Sequence, residues 1–268
     1  MIFKKFMEYQ KKLGQNFLIN KKALKKIIAF LNISQKNIIV EIGAGSGNLT
    51  EELLKTEALI IAIEKDEKLI KRLEERFSNY LTKDNKKLKI IKGDIREILP
   101  LISKKLKNYK IVGNIPYYLT NHLFYIFQQL KNPPQLIVLT IQKEVAERIV
   151  AKPPKANQLG NIINLWAKPK ILFHLKAKDF FPQPKVASSV IKLEIKPFFQ
   201  RLKNEEEIIK LIKIGFKQPR KVLINNLSEK FDKNKIKNVF KKLNLDEKIR
   251  PAELSLEMWI TINKMLNY

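Results

Sequence analysis

The sequence predicts an α/β protein built on a mainly parallel sheet with an antiparallel edge, followed by a small all-α C-terminal domain. Three observations carry this. Five apolar runs of strand length alternate with helical runs between residues 20 and 141, the pattern of parallel strands covered on both faces. Two further strand runs come late with no clear helix between them, which suits an antiparallel pair closing one edge. After Pro197 the strand signals stop and the remaining apolar runs have helical period.

The elements follow in order. "ALKKIIAFLN" (Ala23–Asn32) repeats its apolar positions at helical spacing, with Asn20 as its N-cap. "NIIVEI" (Asn37–Ile42) is a buried strand that runs into the turn "GAGSG" and a helix over Asn48–Lys55. "ALIIAIE" (Ala58–Glu64) is a second strand and "DEKLIKRLEERF" (Asp66–Phe77) an amphipathic helix. "KLKIIKGD" (Lys87–Asp94), "YKIVGN" (Tyr109–Asn114) and "QLIVLTI" (Gln135–Ile141) are three more strands, with a helix over Leu119–Leu130 before the last. "KPPKANQLG" (Lys152–Gly160) reads as a surface loop, and "KILFHL" (Lys170–Leu175) and "SSVIKLEI" (Ser188–Ile195) as the edge pair. The expected domains are therefore residues 1–196 and 197–268.

Composition narrows the function. With 268 residues, 45% of them hydrophobic, the chain can bury a core for one large domain and one small one. Cysteine is absent, which excludes disulfides, a thiolate nucleophile and Cys-ligated metal. The N-terminus lacks the apolar core of a signal peptide, and no apolar run approaches the roughly 18 residues of a membrane span, so a cytoplasmic protein is expected. Formal net charge is +27, and residues 1–36 alone carry +8. Such a field makes nucleic acid the default partner, because each neutralised phosphate releases counterions. The competing reading is lysine scattered over all surfaces as heat adaptation.

Ligands of an open parallel sheet collect at the carboxyl ends of its strands. The first strand ends in Glu41-Ile42-Gly43-Ala44-Gly45-Ser46-Gly47, whose alternate glycines permit a tight turn and close backbone approach. This is neither the G-x-G-x-x-G fingerprint nor a P-loop. The second ends in Glu64, an acid that can accept from ribose hydroxyls or merely start the next helix. The third ends in Gly93-Asp94, which can accept from an adenine amine or cap a short helix. The fourth ends in Asn114-Ile115-Pro116-Tyr117. In that order the four ends describe a nucleoside cofactor lying across the sheet, with a reacting group beside Asn114. His122 and His174 sit inside apolar patterns and read as packing residues, and no cluster has metal-ligand spacing.

With these strand ends, "GQNFL" (Gly14–Leu18), "EIGAGSGNLT", "AIEKDEKL", "GDI", "VGNIPYYLT", "TIQKEVAERI" and "FFPQPKVASSV", the sequence resembles the class I S-adenosylmethionine-dependent methyltransferases, and within them the rRNA adenine N6 dimethyltransferases. "GFKQPRKVLINNL" (Gly215–Leu227) and "RPAELSLE" (Arg250–Glu257) resemble the helical tail of the branch acting on small-subunit rRNA. Ala44 departs from the family, which commonly has Pro there. The resemblance implies a Rossmann-like fold, S-adenosyl-L-methionine as cofactor and no metal. It implies cofactor contacts at Asn16, Leu18, Gly43, Glu64, Asp94 and Asn114, with Gly45 lining the same turn. Catalytic roles would fall to Asn114, Tyr117 and Phe180, the last closing the second face of the target base unless it is a core aromatic. The implied substrate is a pair of adjacent adenines in a hairpin loop near the 3′ end of 16S rRNA, in the immature small subunit, methylated by a monomer. The alternatives are a 23S rRNA methyltransferase of the macrolide-resistance type and a ribosome-assembly factor making little catalytic use of the site.

Overall fold

The computed structural model describes residues 16–82, 85–197 and 204–267. Residues 1–15, with most of the basic N-terminal segment and the Gly14-Gln15 half of "GQNFL", lie outside the described residues. Contacts divide the chain into two compact units, one of residues up to 146 with 170–195, the other of 147–169 with the residues from 196 on.

The first unit holds a seven-stranded sheet. Its strands are β2 (Ile38–Ile42), β3 (Leu59–Glu64), β4 (Leu88–Lys92), β5 (Tyr109–Asn114), β6 (Leu136–Gln142), β7 (Ala167–Leu175) and β9 (Ser188–Ile195), in the order β4-β3-β2-β5-β6-β9-β7. Pairing is parallel from β4 to β6 and antiparallel between β6 and β9. The central strands are buried on both faces, which is why "IIV" in β2 is an unbroken apolar run and not an alternating one. A separate two-stranded ladder joins β1 (Phe17–Leu18) to β8 (Phe180–Phe181). Strands of two residues leave no periodic trace, so neither was anticipated.

Helices α1 (Lys21–Leu31), α2 (Asn48–Leu53), α3 (Glu67–Arg76), α4 (Ile95–Ser103) and α5 (Thr120–Gln129) belong to this unit. Asn20 caps α1 as expected, its side chain accepting from Ala23 N at 3.1 Å. The other end of α1 is held by Lys110 of β5. Its buried ammonium donates to the Leu31 and Asn32 carbonyls and to Asn37 Oδ1 at 3.0 Å, so three acceptors offset its desolvation and satisfy carbonyls the helix leaves open. Burial still pushes its pKa down.

Helix α6 (Lys143–Val150) follows β6, and the second unit then takes in α7 (Gln158–Trp166) with α8 (Glu205–Gly215), α9 (Leu223–Leu227), α10 (Lys233–Lys242) and α11 (Leu256–Asn267). Its core is built around Trp259, fully buried, with its ring centroid 5.7 Å from that of Phe216. Helix α7 starts inside the segment expected to be a loop. Asn157 caps it by accepting from Gly160 N at 3.0 Å, and a Cβ at Gly160 would come 2.9 Å from the Ile149 carbonyl. The glycine that reads as a breaker is a close-packing contact. Both histidines lie on the surface instead of packing inside: His122 faces Tyr125, and His174 meets Ser189 Oγ at 2.8 Å. Among the described residues no helix is long and apolar enough to cross a membrane, and no cluster of three acids or histidines is disposed to hold a metal.

Candidate active site

Strand order changes direction at β2, which has β3 on one side and β5 on the other. A crevice opens at such a switch point beyond the carboxyl ends. Here it is a cavity of about 600 Å³, lined by Asn16, Leu18, Gly43, Gly45, Glu64, Asp94, Asn114 and Tyr117 together. Phe180 is not among the lining residues. It is 1% exposed and packs in the core with Leu18 and Leu24, while Phe181 is 40% exposed. Successive side chains of a strand point to opposite faces, so in β8 one ring must turn inward, and it is Phe180. Of the two readings open for Phe180, a core aromatic or the second face of a target base, its burial fits the first.

Glu64 organises the glycine turn. Its Oε2 accepts from Gly45 N at 2.9 Å, and its Oε1 from Lys65 N and Asp66 N at 2.8 and 3.0 Å. The acid is 6% exposed, yet three backbone donors compensate it. Gly45 has φ 58°, and a Cβ there would come 2.7 Å from the Phe17 ring. Only glycine combines that left-handed backbone with that contact.

Asp94 does what a helix start asks of it, capping α4 through Arg96 N at 3.0 Å. It also meets Arg96 Nε and Nη2 at 2.9 and 2.6 Å and Lys65 Nζ at 2.9 Å. The Arg96 guanidinium, helped by Lys65, holds its carboxyl well below the usual carboxylate range. All four of its lone-pair positions are engaged.

Asn114 donates its side-chain amide to the Asn16 carbonyl at 2.6 Å. That fixes the side chain and leaves Oδ1 as an acceptor. Pro116 (φ −57°) follows. Tyr117 opens a short 3-10 turn over Tyr117–Leu119, and its hydroxyl meets Ser188 Oγ of β9 at 2.8 Å. Burial pushes its pKa up, against the opposing pull of Ser188. The anchored hydroxyl fixes the long axis of the ring.

The sequence pattern missed three participants. Ser188 sits in a quoted motif but carries no signal of its own. Asn48 Nδ2 donates to the Leu18 carbonyl at 3.0 Å and fastens β1 over the turn. Glu41 also lines the cavity; an acid within an otherwise apolar strand was the signal that could have found it.

A family model described as "Ribosomal RNA adenine dimethylase" matches residues 7–268. Among similar proteins, a ribosomal RNA small subunit methyltransferase A of Caldanaerobacter subterraneus is 34% identical over 97% of this chain and 98% of its own length. The protein of the same name from Campylobacter hominis is 37% identical over 96% of each. A dimethyladenosine transferase from Plasmodium falciparum superposes with a TM-score of 0.78 at 25% identity, covering 93% of this chain and 98% of that one. The 23S rRNA methyltransferase ErmE gives 0.73 at 18% identity over 94% of this chain and 100% of its own, a likeness of fold.

Proposed function

The chain belongs to the ribosomal RNA adenine dimethylase family, and from that premise we propose that it dimethylates N6 of two adjacent adenines near the 3′ end of 16S rRNA in the assembling small subunit, using S-adenosyl-L-methionine. The observation that carries this is Asn114: an amide locked to the Asn16 carbonyl, with its oxygen still an acceptor, beside an aromatic ring whose hydroxyl is held by Ser188.

The residues present suit the cofactor. The cavity has the volume of a nucleotide-sized site, and the turn at Gly45 has no side chain to keep a ligand off its backbone. Glu64 uses three of about four lone-pair positions on backbone donors, which leaves one for a ribose hydroxyl. Asp94 can accept an exocyclic adenine amine once Lys65 or Arg96 swings off it, and both are solvent-exposed side chains. Gly43 and the Asn16–Leu18 segment complete the walls. When bound, S-adenosyl-L-methionine supplies an electrophilic methyl on its sulfonium.

The rest is positioning. Asn114 Oδ1 accepts from the target N6–H and favours a localised lone pair on a poor nucleophile. The Ile115 carbonyl accepts the second N6–H, and Pro116 keeps Ile115 extended so that this carbonyl points one way. Tyr117 offers a face on which an unstacked base rests, worth roughly 1–3 kcal/mol. Orientation contributes about 7–11 kcal/mol to a two-substrate reaction, against about 2.7–4 for one preorganised polar contact. Alignment therefore dominates and no strong base is needed. The sheet-bearing domain carries the chemistry, and the helical domain with its basic "FKQPRK" segment takes the rRNA.

The test is transfer of label from S-adenosyl-L-methionine to immature small subunits, with the modified nucleotides mapped. Dimethyladenosine at two adjacent positions near the 16S 3′ end is the expected result. Label confined to 23S rRNA, or to no RNA, would sink the proposal.

A further inference from the structure

Helix α5 has an outer face with no task in the chemistry proposed for the site. Its inner residues Leu123, Phe124, Ile126 and Phe127 are buried. The outer side is aromatic. Tyr118, in the short turn that leads into the helix, is 75% exposed, Tyr125 is 52% exposed, and His122 between them is exposed as well. Steps of four and then three residues bring the three to one side of the helix. The His122 and Tyr125 rings lie 6.4 Å apart and 52° from parallel, so they are not stacked on each other. One exposed aromatic is ordinary on a protein surface; three in a stripe that starts at a cavity are not. Tyr118 lines that cavity with Asn114 and Tyr117, which makes the stripe continuous with the site.

Charge indicates what the stripe meets. From Tyr117 to Leu130 the sequence contains no Asp or Glu, so a phosphate backbone laid along this element finds no fixed negative charge on it. Beside its upper end, Arg96 of α4 lies within electrostatic reach of Tyr118. Helices α4 and α5 pack side by side, and each follows a strand of the parallel sheet, so both run away from the site in the same sense. Lys104, Lys105 and Lys107 after α4, and Lys131 after α5, are exposed and come at the other end. Cations bracket the stripe and aromatic faces fill it. Proteins hold single-stranded nucleic acid by this combination of backbone charge and base stacking. The spacing agrees. Along the axis the three side chains are set about 6–7 and about 4.5 Å apart, beyond the roughly 3.4 Å rise of stacked bases. A strand that follows them has its bases parted.

We propose that Tyr118, His122 and Tyr125 form a stacking track for the unpaired rRNA next to the target adenine. The adenine being methylated rests on Tyr117, its neighbour in the pair rests on Tyr118, and the next bases of the loop lie along His122 and Tyr125. Tyr117 is half-buried and anchored through its hydroxyl, whereas Tyr118 stands exposed at the cavity mouth. Two successive tyrosines, one in the wall and one at the mouth, suit two successive adenines. Moving the strand by one base presents each adenine in turn to Asn114. This inference rests on the rRNA adenine reading of the preceding section.

The experiment measures methyl transfer to immature small subunits, and binding of an RNA hairpin with the two adenines in its loop. The native protein is compared with Tyr118→Ala, Tyr118→Phe and Tyr118→Leu. Tyr118 is exposed, so the unfolding temperatures are expected to match. With one stacked base lost, Tyr118→Ala weakens hairpin binding about 5–150-fold and raises KM for the subunits in step. Tyr118→Phe keeps the flat face and stays within about twofold of native. Tyr118→Leu keeps an apolar side chain without that face, and falls with Tyr118→Ala. The slope of affinity against salt stays native in all three, because no phosphate contact is removed. His122→Ala combined with Tyr125→Ala weakens the hairpin about fivefold or more. Native affinity in Tyr118→Ala overturns the track. So does native affinity in Tyr118→Leu, which would mark the stripe as an apolar face for a protein partner, and so does a flatter salt slope, which would mark a phosphate contact. A double variant that binds like the native protein overturns the track beyond the cavity mouth. Native KM and turnover in every variant sink this inference and leave the dimethylation reading intact. No methyl transfer by the native protein overturns both.

Discussion

Asn114 combines two properties that no close substitute keeps. It donates to the Asn16 carbonyl and retains an acceptor oxygen. Alanine offers neither, and aspartate sets a carboxylate against a carbonyl. Asn114→Ala is therefore expected to lower turnover by roughly 10²–10³ with the circular dichroism spectrum unchanged; full turnover would remove it from the mechanism. Glu41 makes a separate prediction about stability. Its folded carboxyl is pushed up to about 8, above its unfolded value, so between the two the native state binds the extra proton. Native stability then falls as pH rises from about 5 to 8, with a ceiling near 1.4 kcal/mol per pH unit, and flattens above that range. Glu41→Gln removes this slope, so its urea midpoint should gain on the native protein across that interval; parallel midpoints would show that Glu41 does not titrate there. Glu64, Asp94 and Asn114 were legible because strand ends are where ligands gather. Phe180 was left with two readings because alternation in a two-residue strand cannot be phased from sequence. Glu41 was passed over because the acid that interrupts its apolar strand was read only as part of the strand end.

At the scale of elements, the turn after β2 is where sequence and geometry constrain each other most tightly. Gly45 presents its N–H to Glu64, holds φ at 58° and leaves room for the Phe17 ring. Gly45→Ala forces a left-handed backbone on a Cβ and drives that Cβ into an aromatic ring, which has little freedom to yield. A loss of about 1–3 kcal/mol of stability and a larger loss of cofactor affinity are expected, read by thermal unfolding and by ligand titration. Unchanged affinity would mean the turn does not approach the ligand. The long elements were readable because apolar runs bounded by Gly, Asn and Asp give both length and direction. Helix α7 was not, since its Gly160 is chosen for contact with the Ile149 carbonyl, a requirement set by a partner outside the helix. The β1–β8 ladder escaped for a related reason. Its pairing joins residues far apart in the chain, and nothing local announces it.

For the whole molecule, charge decides what can be held apart experimentally. The chain carries +27, of which residues 37–196 contribute +12 and residues 197–268 contribute +7, so neither part alone accounts for the field. Exposed lysines act over about 10 Å at 0.1 M salt, whereas the contacts proposed for the cofactor are short and sheltered in a cavity. RNA and cofactor should therefore separate in one salt series. If the rRNA neutralises about 6–10 of these charges, its affinity falls by roughly 10³–10⁵ between about 50 and 200 mM salt. Cofactor affinity over the same range should change by less than about threefold, because screening reaches a desolvated pair far less than a surface one. Filter binding of a 16S fragment and calorimetry of the cofactor, run in matched buffers, measure both slopes. A flat RNA slope would mean that the lysines are only a solvated surface and that contact is made through few phosphates. A cofactor slope as steep as that of RNA would place the cofactor's charges in open solvent, which contradicts a site sheltered in the cavity at the strand ends.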